Sequence, residues 1–101
     1  MILGTGIDII EVERIRASHE RFGERFTRRI LLPAEIEYCL RHKDPAPFLA
    51  ARFAAKEACS KALGTGFRRG VYWRDMGVLN LASGKPTMEL KGGAAKRLAE
   101  L

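Results

Sequence analysis

The stretch Phe48–Leu63 constrains the fold more than any other, because alanine and leucine dominate it, glycine and proline are absent, and Gly64-Thr65-Gly66 follows at once. That composition predicts a helix that stops at a glycine. Glu57 and Lys61 stand four residues apart and share one face of it, while Arg52, Lys56 and Ser60 form the adjacent stripe. One side of this helix is therefore expected to be charged. Alanines at 50, 51, 54, 55, 58 and 62 cover much of the remainder and allow close approach of neighbouring elements.

The other segments arrange themselves around this helix. Ile2–Ile10 reads as a strand in which Gly4, Gly6 and Asp8 face one way and Ile7 and Ile9 the other. From Glu11 the period changes: Val12, Ile15, His19, Phe22 and Phe26 recur at steps of three and four, an amphipathic helix that Gly23 is placed to interrupt. Pro33 opens a short helix through Leu40, and Asp44-Pro45-Ala46-Pro47 predicts a turn. Met76–Leu81 and Thr87–Leu90 read as two strands of a hairpin, and Gly92-Gly93 precedes a last helix, Ala94–Leu101. The order predicts an α+β fold, with helices packed on a largely antiparallel sheet.

With 101 residues, 47% of them hydrophobic, the chain reads as a single domain over 1–101 whose core is small. A site with several walls then calls on a neighbouring subunit, and a homo-oligomer is expected. Lysine and arginine outnumber acidic residues 18 to 12, which favours anionic partners but does not choose among nucleic acid, an acidic protein and a phosphate-rich cofactor. Arg14, Arg21, Arg25 and Arg28 would form one basic stripe if the helix ran on past Gly23, either a solvated face or a ridge for an acidic helical partner. Cys39 and Cys59 lack metal-site spacing and read as reduced thiols. No apolar run approaches the ~20 residues that span a bilayer, so a cytoplasmic protein with no membrane partner is expected.

Asp8 sits near the end of an apolar strand beside two glycines, where a carboxylate needs a cation or hydrogen-bond donors. It suits a metal ligand, and equally a cap for the helix that follows. Glu57 and Lys61 suit an ordinary surface ion pair, or a second magnesium ligand with a phosphate partner; magnesium takes one or two protein carboxylates and fills its shell with water and phosphate oxygens. Gly4-Thr5-Gly6 lacks the third glycine of a dinucleotide fingerprint, since Ile9 stands in its place, and no Gly-Lys-Ser/Thr follows Gly66 as a P-loop requires.

Gly4-Thr5-Gly6-Ile7-Asp8-Ile9 at the start, together with Phe53-Ala54-Ala55-Lys56-Glu57-Ala58 and Lys61-Ala62-Leu63-Gly64-Thr65-Gly66, resembles the holo-acyl-carrier-protein synthases of the 4'-phosphopantetheinyl transferase family. The likeness extends through Arg14, Arg25-Phe26, Arg29-Ile30-Leu31 and Gly84-Lys85-Pro86. It implies a magnesium-dependent enzyme in which a serine hydroxyl of an apo acyl carrier protein attacks the β-phosphate of coenzyme A, releasing adenosine 3',5'-bisphosphate, in support of fatty acid biosynthesis. Asp8 and Glu57 would hold magnesium. Lys61 and Arg52 would lie near the coenzyme A phosphates, and Gly64 and Pro86 would line the cofactor cleft. Arg14, Arg21, Arg25 and Phe26 would contact the carrier protein, and the active unit would be a homotrimer with sites between subunits. Glu57 is the preferred base, directly or through a metal-bound water, with Asp8 through such a water as its rival.

Two departures accompany the resemblance. Family members continue past the position of Leu101 into further strands, so the fold is expected to lack those C-terminal strands, and an inactive carrier-binding scaffold is the alternative function. Leu32 stands where the family often has a capping threonine, a loss of ~1 kcal/mol. A small basic nucleic-acid-binding module is the remaining alternative, which gives no reason for Asp8 beside two glycines.

Overall fold

The computed structural model describes residues 9–80, 82–84 and 86–101, the side chains of residues 9, 10 and 86 excepted. Among the described residues five α-helices and one hairpin follow in the order α1 (Ile9–Phe22), α2 (Glu24–Ile30), α3 (Pro33–Leu40), α4 (Ala46–Ala62), a 3-10 turn (Trp73–Asp75), β1 (Met76–Asn80), β2 (Pro86–Leu90) and α5 (Gly92–Glu100). Helices and an antiparallel hairpin combine as the α+β reading expected.

Most of the expected strand Ile2–Ile10 lies outside the described residues, but Ile9 and Ile10 belong to the first turn of α1 and not to a strand. Two β-branched residues favour a strand by propensity. Ile9 also stands three before Val12, so the helical period already includes it. The break at Gly23 is present, and α2 restarts at Glu24. Helix α4 begins two residues earlier than its composition predicts. The Ala46 N–H donates to Asp44 Oδ1 (3.3 Å), and Pro47 falls in the first turn, where a missing N–H costs nothing.

Helix α1 packs along α4, and the first core forms around them from Ile15, Ile30, Leu31, Cys39, Leu49 and Ala50. Each large side chain buried there contributes about 1.5–3 kcal/mol. A second core joins the end of α4 to the hairpin and α5 through Leu63, Val71, Met76 and Ala94. In the hairpin, Met76 pairs with Leu90, Val78 with Met88 and Asn80 with Pro86. An aromatic stack bridges α4 to the loop beyond it: Trp73 lies 3.7 Å from the Phe67 ring and 4.9 Å from Phe53.

Gly93 is demanded by contact, because a Cβ there would lie 1.8 Å from the Gly70 carbonyl oxygen. The start of α5 thus presses backbone to backbone on the turn before β1.

Candidate functional site

Helix α4 carries Arg52, Glu57 and Lys61 of the predicted site. Glu57 is half-buried and Lys61 is exposed, one turn apart along the same face. Among the described residues no ion pair joins them, so the surface-pair reading is not what the structure contains. Asp8, the partner expected for Glu57, lies outside the described residues. Among the described residues no three His, Cys, Asp or Glu side chains cluster into a ready metal site.

The neighbouring stripe of Arg52, Lys56 and Ser60 was expected to extend the charged face, yet all three side chains are buried. Each has found an internal partner. Lys56, with no exposed surface, donates to Glu35 Oε1 (2.6 Å) and to the Ile30 carbonyl (2.7 Å). Burial pushes its ammonium below the usual lysine range, opposed by the hydrogen bond and charge of Glu35. Glu35 also accepts the Leu32 N–H (2.8 Å) at Oε1 and the Val78 N–H (2.9 Å) at Oε2. The Glu35 half of a capping box therefore survives at α3, and only the half that needs a hydroxyl at position 32 is missing.

Arg52, expected near coenzyme A phosphates, is only 7% exposed and its guanidinium lies 4.1 Å from the centre of the Tyr38 ring. Its Nε is buried without a hydrogen-bond partner. The Ser60 hydroxyl donates to the Glu57 carbonyl (2.7 Å).

Gly64 ends α4 at φ +77°, a conformation that disfavours other residues. Beside it, Arg97 of α5 donates from Nε to the Leu63 carbonyl (3.0 Å), placing a cation at the negative end of the helix. Pro86 opens β2 opposite Asn80; its side chain is outside the description.

The predicted carrier-facing residues divide at Gly23. Arg14 and Arg21 lie on α1, where Arg14 pairs with Glu11 and Arg21 sits 5.2 Å from the centre of the Phe22 ring. Arg25 and Phe26 lie on α2 and line a hollow of about 290 Å³ with Ser18, Phe22 and Arg29. Arg28 instead pairs with Glu24 and lines a separate groove with His19 and Leu31, so the four arginines do not form one continuous stripe. The interruption follows from the turn at Gly23, which resets the helical phase.

Sequence reasoning missed Glu35 and Arg97. A glutamate three residues after the α3 cap was a visible capping signal, but nothing local announced that it would also receive a lysine from α4. Both cysteines are free; burial pushes the Cys39 thiol up to about 11 and raises that of Cys59. Among the described residues no helix is long and apolar enough to cross a membrane.

Residues 4–101 match the 4'-phosphopantetheinyl transferase superfamily. The holo-[acyl-carrier-protein] synthase of Azorhizobium caulinodans is 60% identical over the whole chain, which covers 74% of that relative, and the Rhizobium rhizogenes protein of the same name is 58% identical with 75% covered. Among solved structures, the holo-[acyl-carrier-protein] synthase of Neisseria meningitidis superposes with a TM-score of 0.75 at 39% identity, covering 88% of this chain and 70% of that one. The Helicobacter pylori enzyme in complex with coenzyme A gives the same TM-score at 31% identity, covering 88% and 72%. Matched by the family over residues 4–101 and by the two curated relatives over its whole length, the chain belongs to the holo-[acyl-carrier-protein] synthases of the 4'-phosphopantetheinyl transferase superfamily.

Proposed function

We propose that this protein transfers the 4'-phosphopantetheine group of coenzyme A to a serine of an apo acyl carrier protein, as a cytoplasmic homotrimer of one domain per chain serving fatty acid biosynthesis. The observation that carries the chemical reading is the outer face of α4, where Glu57 and Lys61 lie together with no ion pair between them. A carboxylate and an ammonium left unspent in this way are available to a substrate.

In the proposed reaction the serine Oγ forms a bond to the β-phosphorus as the bond to the leaving adenosine 3',5'-bisphosphate breaks. Glu57 accepts the serine proton, and Lys61 offsets negative charge on the diphosphate. Gly64 and Pro86 line the cofactor cleft, and Arg52, whose buried Nε has no hydrogen-bond partner, adds positive charge to it. Arg14, Arg21, Arg25 and Phe26 hold the acidic recognition helix of the carrier.

The carboxylate oxygens of the half-buried Glu57 suit a hard cation, with Asp8 as the second carboxylate. Magnesium held by these two residues would stabilise charge on the diphosphate.

The test is the intact mass of an apo acyl carrier protein after incubation with the protein, coenzyme A and magnesium. Addition of one phosphopantetheine, prevented by a chelator, is expected; no gain with any carrier, under conditions where the Neisseria meningitidis enzyme succeeds, overturns the reading.

A further inference from the structure

The buried contact between Glu35 and Lys56 is the densest polar junction among the described residues. The two side chains are 1% and 0% exposed, and their four directed bonds join four separate parts of the fold. Lys56 belongs to α4; Ile30 is the last residue of α2; Leu32 and Glu35 open α3; Val78 is central in β1.

Volume alone does not call for charge here, because apolar residues of similar size replace buried ion pairs with little loss, or with a gain, in other proteins. What apolar contacts supply poorly at this place is register. After Ala50 the buried side chains of α4 are Arg52, Lys56 and Ser60, so apolar ridges do not by themselves fix its rotation about the axis or its sliding along it there. An ammonium held by two fixed oxygens defines both. Glu57 follows Lys56 directly, about 100° round the helix and ~1.5 Å further along it, so whatever fixes Lys56 fixes the direction in which Glu57 leaves α4.

We propose that the Glu35–Lys56 pair is a positioning device for the transfer reaction, holding α4 in the rotation and register that present Glu57 to the substrate. The inference rests on the role given to Glu57 above. Neither Glu35 nor Lys56 touches the substrate in this scheme. Both act through the helix that bears the reacting carboxylate, where a displacement of ~1 Å at a reacting group costs up to about 100-fold in rate.

The test replaces both charges at once, as E35M/K56M, in the full chain. Far-UV circular dichroism and cooperative melting are expected to be retained, KM for the carrier protein to stay within about twofold, and kcat to fall at least about tenfold. The swapped pair E35K/K56E restores opposite charges, but lysine at position 35 offers no acceptor to the Leu32 and Val78 N–H groups, so it is expected to remain slow. A folded E35M/K56M with kcat within about twofold of the parent overturns the proposal, as does full recovery in E35K/K56E. If E35M/K56M does not fold, E35Q/K56M, which keeps an oxygen acceptor, takes its place; failure of that variant too assigns the pair to stability alone and overturns the positioning role. Glu57→Gln is measured in parallel: if it retains full turnover, the role of Glu57 falls irrespective of how the pair variants behave.

Discussion

Arg97 closes the end of α4 by donating from Nε to the Leu63 carbonyl at 3.0 Å, thirty-four positions back along the chain. The bond satisfies one of the carbonyls that every helix leaves open at its C-terminus, and sets a positive charge against the helix dipole. Arg97→Met keeps most of the stem and removes both effects. A loss of about 1–2 kcal/mol is expected in urea unfolding, with an unchanged slope.

Glu57→Gln nearly preserves shape at a half-buried position. It is expected to leave the melting temperature within a few degrees and to lower turnover by at least about 100-fold, the usual scale of a lost general base. Unchanged turnover in the carrier mass assay would remove Glu57 from the reaction.

Reversing charge at Arg25, on the rim of the hollow it shares with Phe22 and Phe26, tests the docking surface separately from the chemistry. Arg25→Glu is expected to raise KM for an acidic carrier at least about tenfold, ~1.4 kcal/mol, leaving KM for coenzyme A unchanged. The dependence of KM on salt should flatten as well. Equal rises in both constants would place Arg25 elsewhere in the mechanism.

The two thiols should differ in reactivity. Cys39 is fully buried and its thiol is pushed up to about 11, so almost no thiolate exists at neutral pH; Cys59 is only half-buried. Iodoacetamide at pH 7.5 is expected to modify Cys59 first, with Cys39 reacting at the rate of unfolding. Peptide mass spectrometry distinguishes the two, and faster labelling of Cys39 would contradict its place in the core.

Acid should loosen the tether between α1 and the segment before α4. Arg16 donates to Asp44 Oδ1 at 2.6 Å and holds that carboxyl below its ordinary value of 3.8. A lowered carboxylate contributes its stability above the unfolded value and loses it as pH falls through the folded one. Asp44→Asn is therefore expected to reduce the drop in melting temperature below pH 4, modestly because the pair is exposed. Identical acid profiles for parent and variant would show that the tether adds nothing.

Much of this architecture was visible in the amino-acid order because its signals are local. The alanine-rich run with a glycine at its end specified α4, the serine-glycine turn between two apolar runs specified the hairpin, and Pro33 marked the start of α3. Boundaries were less legible: Ile9 and Ile10 carry strand propensity but join a helix, and Ala46 is recruited into α4 by a side chain two residues before it. Side-chain placement was legible where a residue keeps its charge at the surface, as Lys61 does. It was not legible at Lys56, whose neighbours along the chain resemble those of any solvated lysine; its acceptors arrive from α2 and α3 only when the chain has folded. The same non-local packing turned Arg52 inward against Tyr38.

Trp73 is the one tryptophan of the chain, and it lies between an aromatic ring of α4 and another of the loop that follows. The molecule thereby contains its own optical reporter: emission excited selectively from this indole registers whether that loop is seated on the helix bearing Glu57. The seating of the loop becomes readable in solution without attaching a dye.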